Sequence, residues 1–131
     1  MSSVFTSIIE GNIPSYKLDE NEYAIALLDI FPLREGHTLV VPKREVNHWF
    51  ELPADEFAQL MSYAHQISHA IRQAIPCNRI GVVIAGFEIP HCHIHLIPVN
   101  HMNEMEFSNP KLKFSDEAFR DTAHRIMQFI R

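Results

Sequence analysis

His91-Cys92-His93-Ile94-His95-Leu96-Ile97 alternates imidazoles with mostly apolar side chains. Successive side chains of a β-strand point to opposite faces. Read as a strand, the stretch puts His91, His93 and His95 on one face and Cys92, Ile94 and Leu96 on the other. A buried imidazole needs hydrogen-bond partners, so three on one face are a costly way to fill a core. A solvated edge row of histidines would avoid that cost, but Ile94, Leu96, Ile97 and Pro98 mark a packed strand.

Working outward, Ile80–Ala85 reads as the strand before it. Upstream, Tyr23–Asp29 and His37–Val41 read as two more, joined by the turn Phe31-Pro32-Leu33-Arg34-Glu35-Gly36. The one long helix runs from Ala54 to Ile75, between Pro53 and Pro76. Phe57, Leu60, Met61, Ala64, Ile67, Ile71, Ala74 and Ile75 recur along it at helical spacing. A short helical stretch, Val4–Glu10, stops at Gly11-Asn12-Ile13-Pro14. A C-terminal helix over Asp116–Arg131 opens on the N-cap Ser115, with acids in its first turn and basic residues in its last. Its Phe119, Ala123, Ile126 and Ile130 predict a docked face rather than a free tail. Sequential strands with short loops and one long helix predict an α+β domain, an antiparallel sheet with a helix packed on it.

The 131 residues fit one domain, residues 1–131, with no repeat or linker. A net charge of −5, with no Lys/Arg run, argues against a grip on polymeric nucleic acid. A phosphate ligand would then be held by local groups. Two cysteines, Cys77 and Cys92, make no disulfide framework and fit a reducing cytoplasm. The N-terminus lacks the pattern of a signal peptide, and no apolar run is long enough to span a membrane.

Three imidazoles on one face support two chemistries. Histidines at i and i+2 can chelate a transition metal, with His37 as a further ligand. Alternatively, a neutral imidazole is a good nucleophile near pH 7 and can attack phosphorus. The sequence resembles the histidine triad (HIT) family in three ordered blocks. These are Phe5–Gly11 with Ile13-Pro14, then Leu28-Asp29-Ile30 with Pro32 and Gly36-His37-Thr38-Leu39-Val40-Val41-Pro42-Lys43, and finally His91–Ile97. The resemblance covers about the first hundred residues and leaves 101–131 as an extension.

The resemblance implies a HIT-like fold and a nucleotide phosphoramidase or nucleotidyl hydrolase acting at the α-phosphate of a purine nucleotide. It makes His93 the nucleophile, has His91 and His95 orient it and donate to phosphate oxygens, and adds His37 in support. It places Asp29 on the ribose hydroxyls, where the bland alternative is a turn-capping carboxylate. It puts Phe5, Ile8 and Leu27 around the base, where each could equally be core, and counts Ile30, Gly86 and Glu88 among the nucleotide contacts. It also implies a homodimer joined through the long helix and a neighbouring strand, and no cofactor.

Besides the unmatched extension 101–131, the chain departs from the family pattern at two places. The C-x-x-C zinc positions are Ser3 and Thr6, and the P-K-K-H histidine falls at Glu45, so no structural zinc is expected. Before the triad, Ile84-Ala85-Gly86-Phe87-Glu88-Ile89-Pro90 replaces a longer loop, with Phe87 at the usual Gln and Glu88 at the usual hydroxyl residue. A carboxylate beside a phosphate is repulsive; Glu88 could instead meet a leaving-group amine or activate water. Three readings stay open here: a covalent nucleotide hydrolase, a metal-dependent hydrolase or metal-binding protein, and a nucleotide binder without turnover.

Overall fold

Leu60, Tyr63, Ala64, Ile67, Ala70 and Ile71 are buried along one face of a 21-residue helix, and they meet one side of a five-stranded sheet. The computed structural model describes residues 2–131. In chain order the regular elements are α1 (Val4–Ile9), β1 (Lys17–Glu20), β2 (Ala24–Leu28), β3 (Thr38–Pro42), α2 (Ala54–Ala74), β4 (Arg79–Val83), β5 (Ile94–Val99) and α3 (Asp116–Met127). All neighbouring strands pair antiparallel, in the order β1-β2-β3-β5-β4. The expected α+β architecture is what the chain adopts.

Several boundaries differ from the sequence expectation. β1 was not expected: Lys17-Leu18-Asp19-Glu20 is polar, and only Leu18 reaches the core. Tertiary pairing with β2 decides it, against weak local preference. β4 ends at Val83, before Ile84 and Ala85. The strand expected over His91–Ile97 begins at Ile94, because the backbone before it bonds outside the ladder. Cys92 N–H donates to Val46 O (2.7 Å) and His91 N–H to Ile89 O (2.8 Å). The alternation of faces nonetheless runs through this lead-in. α2 stops one residue early, since Ile75 precedes Pro76 and is held extended (φ −117°, ψ 114°). α3 ends at Met127 rather than Arg131.

The sheet is covered on both sides, which is why β2 and β3 are buried at every residue. Ala24, Ala26, Leu28, Val40, Cys92, Ile94 and Leu96 face α2 and α3. Ile25, Leu27, Leu39 and Val41 face the other way, against Phe5 of α1. The C-terminal helix α3 docks on the helical side. Phe119, Ala123 and Ile126 join the main core, Tyr16 stacks on Phe119 (centroids 4.8 Å apart), and the Tyr16 hydroxyl donates to Asp116 (2.7 Å).

Gly36 sets the entry to β3. Its φ is +86°, and a Cβ there would lie 2.9 Å from Ile75 Cγ1 and 3.3 Å from Pro98 Cγ. Both the left-handed backbone and the close approach call for glycine. His37 follows it directly and is carried into the sheet interior.

Candidate active site

On the face of the sheet opposite α2 lies a mainly apolar cavity of about 260 Å³. Phe5, Ile8, Leu27, Asp29, Ile30, Glu88, His93 and His95 line it, so eight of the sequence-predicted residues are brought together. Gly86 is not among them. It turns the loop away with φ +83° and lines a smaller cleft on another side of His93, with His48 and Phe50. His37 and His91 do not line the cavity either, being 1% and 0% exposed behind its wall. A wider groove, about 660 Å³ between α2 and the chain end, shares no residue with this cavity.

The four buried imidazoles form two hydrogen-bond chains, and the chains fix which nitrogen carries each proton. In the first, His37 Nδ1 accepts from Leu33 N–H (3.0 Å). His37 therefore carries its proton on Nε2, which donates to His95 Nδ1 at 2.9 Å; Asp29 Oδ2 lies farther off, at 3.5 Å. His95 then carries its proton on Nε2. Among the described residues, His95 Nε2 is the one buried side-chain nitrogen or oxygen with no partner. Such an unmet donor costs roughly 1–3 kcal/mol, and a ligand oxygen in the cavity would recover it.

In the second chain, Ser3 Oγ–H donates to His91 Nδ1 (2.5 Å) and His91 Nε2–H donates to Pro42 O (2.8 Å). Both ring nitrogens of His91 are thus occupied, so His91 has no N–H for a phosphate, contrary to the role implied by resemblance. It acts through its backbone: His91 O accepts from His93 Nδ1–H at 2.7 Å. That leaves the lone pair of His93 on Nε2, the ring nitrogen with no internal partner.

Burial governs the protonation states. Desolvation pushes His95 down to about 3, with the neighbouring His37 and His93 adding to the effect. It pushes His37 down to about 4, against the opposing pull of Asp29. His91 is lowered by the same cause, against its bond to Pro42 O and the charge of Glu45. The donor that His95 offers at neutral pH is therefore a neutral imidazole N–H.

The positions where the family pattern holds zinc ligands form a hydrogen-bonded clasp instead. Glu45 Oε1 accepts from Ser3 N–H (2.8 Å) and from the Thr6 hydroxyl, while Ser3 Oγ accepts from Thr6 N–H (3.1 Å) as the N-cap of α1. The clasp fixes Phe5, whose ring lies edge-on to His91 (5.6 Å) and His93 (5.0 Å). At the cavity itself, Glu88, His93 and His95 offer donor atoms within 4.8 Å of one another, as do Asp29, His37 and His95. For His95 Nε2 to ligate a metal it must shed its proton, which would turn His95 Nδ1 into a donor facing the donor of His37.

Asp29 is a turn cap that also borders the cavity. Oδ1 caps the turn by accepting from Phe31 N–H (2.8 Å), and the residue lines the cavity. Phe5 and Leu27 are likewise both core and cavity wall. Sequence reading missed Phe107 and Lys111 in that wall. Phe107 meets His95 edge-on at 4.8 Å. Both come from the segment after β5, which returns to the site where Leu112 N–H donates to Pro32 O (2.8 Å). No local pattern in 101–115 announces that return.

The family profile for the HIT domain matches residues 10–102. The chain is 36% identical over 102 residues to a HIT-like protein of Mycoplasma genitalium, covering 74% of this chain and 72% of that one. It is 38% identical over 100 residues to the adenosine 5'-monophosphoramidase of Saccharomyces cerevisiae, covering 72% and 61%. The fold matches a hypothetical histidine triad nucleotide-binding protein of Sulfolobus tokodaii with a TM-score of 0.83 at 27% identity, over 97% and 91% of the two chains. The chain belongs to the HIT family.

Proposed function

We propose that this protein hydrolyses a purine nucleoside monophosphate derivative at its α-phosphate, through a covalent nucleotidyl intermediate on His93. The observation that carries the reading is the pairing of an unpartnered, buried His95 Nε2–H with a free lone pair on His93 Nε2 in one cavity wall. One offers a hydrogen bond to a phosphate oxygen and the other attacks phosphorus. The lone pair of His93 Nε2 forms the N–P bond, and the leaving group departs with its bonding pair and takes up a proton. Water then attacks phosphorus, and the P–N bond breaks back to imidazole. The base lies against Phe5, Ile8, Leu27 and Ile30, and Asp29 accepts from the ribose hydroxyls. The yeast relative's phosphoramidase activity supports the same class.

A transition metal on Glu88, His93 and His95 is the second reading, favoured by their converging donor atoms. It would cost the His37-to-His95 bond and its supply from Leu33. A nucleotide binder without turnover would use the same wall but form no adduct. Family membership also supports a homodimer. The outer edge of β4 pairs with no strand among the described residues, and Val82 on it is 49% exposed. Elution at a monomer mass would end that part of the reading. Among the described residues no helix is long and apolar enough to cross a membrane, and we place the protein in the cytoplasm.

The deciding experiment is intact-protein mass after brief mixing with an adenosine phosphoramidate in chelator, beside His93→Ala. An adduct of nucleoside monophosphate mass on the unaltered chain alone is the expected result. Turnover that stops in chelator and returns with added metal would replace this reading with the metal-dependent one. Mononucleotide binding with neither adduct nor product would leave a binding module.

A further inference from the structure

We infer that Glu88 selects the leaving group, and that the site takes phosphoramidates whose departing amine is cationic in preference to polyphosphates. This rests on the hydrolase reading above. Gly86, with φ +83°, turns the loop so that Phe87 stands 93% exposed while Glu88 lines the cavity. A Glu88 carboxylate oxygen lies within 4.8 Å of ring nitrogens of both His93 and His95. With phosphorus in reach of His93 Nε2 and an oxygen on His95 Nε2–H, we place the departing group on the side of that carboxylate.

The charge around the cavity points the same way. Besides its histidines, the charged side chains lining it are Asp29, Glu88 and Lys111. The Lys111 ammonium donates to Phe107 O and to Asn109 O (3.2 Å), which leaves one N–H and its charge as the single cationic contribution to the wall. Among the described residues no second lysine or arginine lines the cavity to meet the further phosphates of a polyphosphate, and Glu88 would face them with like charge. An ammonium on the departing group would instead meet an opposite charge at the exposed rim of the cavity. In the bond-breaking step the P–N electron pair goes to nitrogen, which takes a proton from solvent and leaves as an amine. Glu88 holds the cationic group of that amine and exchanges no proton with the departing nitrogen.

The test compares three substrates that share adenosine 5'-monophosphate: its amidate with ethylenediamine, which carries a free ammonium, its amidate with a neutral alkylamine, and a diadenosine polyphosphate. The kcat/KM of each is measured for the unaltered chain and for Glu88→Gln and Glu88→Lys, with folding checked by circular dichroism. The unaltered chain is expected to favour the cationic amidate over the neutral one and to cleave the polyphosphate least. Glu88→Gln is expected to cut the cationic-to-neutral ratio about tenfold, and Glu88→Lys to raise the polyphosphate's standing further. Equal ratios in all three proteins, with turnover retained, overturn the role of Glu88 and leave the hydrolase reading intact. No turnover of any substrate by the unaltered chain overturns the hydrolase reading, and this inference with it.

Discussion

β5 and its lead-in have two faces that solve different problems. Cys92, Ile94 and Leu96 are at most 1% exposed beneath α2 and α3, and there only volume and apolarity matter. Desolvation even keeps the Cys92 thiol protonated, pushed up to about 11. His91, His93 and His95 are nearly as buried, at 0%, 2% and 4%. Every nitrogen there has to be accounted for. Ser3, Pro42, His37 and the backbone of His91 satisfy four of the six ring nitrogens. What remains is one lone pair on His93 and one N–H on His95, side by side. On the apolar face full satisfaction is the end of the matter; on the other face the two unsatisfied positions are the ones the proposed reaction uses.

The difference predicts that the faces can be broken separately. His93→Ala should lower kcat at least about 10³-fold while the protein stays folded, because the proposed nucleophile is removed from a wall that already borders a cavity. Ile94→Ala, one residue along and 0% exposed, should do the reverse. Deleting a buried aliphatic side chain costs about 2–5 kcal/mol, with kcat per folded molecule retained. Steady-state kinetics beside urea denaturation of both variants checks the pair. A His93→Ala protein that loses as much stability as Ile94→Ala would show that the two faces are one core.

A smaller effect separates the two ends of the histidine row. Ser3→Ala removes the donor to His91 Nδ1 and the N-cap of α1 together. Stability should fall by about 1–3 kcal/mol. Because α1 carries Phe5 into the cavity, KM for the nucleotide should rise as well. Ser3→Thr, which keeps a hydroxyl, should restore both. Denaturation midpoints together with kcat and KM for the two variants make the measurement. An unchanged KM in Ser3→Ala would mean that Phe5 is held by its apolar contacts alone.

How far the sequence alone reached follows the same division. Period-two alternation places the histidines correctly even though the ladder begins only at Ile94, because side-chain direction depends on extended backbone rather than on a hydrogen-bonded partner. The 3.6-residue spacing gives α2 to within a residue. β1 was invisible because its four residues owe their strand to β2, not to their own pattern. Phe107 and Lys111 were invisible because they reach the cavity through a loop whose path is set by contacts with residues far away in sequence. The internal pairing of both His91 ring nitrogens was hidden for a related reason: its position matches the family motif, but its two partners, Ser3 and Pro42, lie 88 and 49 residues away.

The subtlest contrast between the faces is in acid. His37 and His95 titrate near 4 and 3 in the folded chain, against an ordinary 6.5. A histidine lowered by folding is protonated first in the unfolded chain, so the unfolded state binds more protons below 6.5. Their full contribution to stability is present above that pH and is lost as pH falls from 6.5 toward 4. Each should contribute a slope of about 1.4 kcal/mol per pH unit in that window. Between about pH 6.5 and about pH 5.5 most carboxylates stay ionised, so the slope belongs chiefly to imidazoles. Urea midpoints across that window should fall on acidification in the unaltered chain and fall less in His95→Asn, while a substitution confined to the apolar face, such as Ile94→Val, should shift the curve downward without tilting it. A His95→Asn curve as steep as the unaltered one would mean that His95 takes up its proton inside the fold, and that its Nε2–H is not held neutral for a ligand.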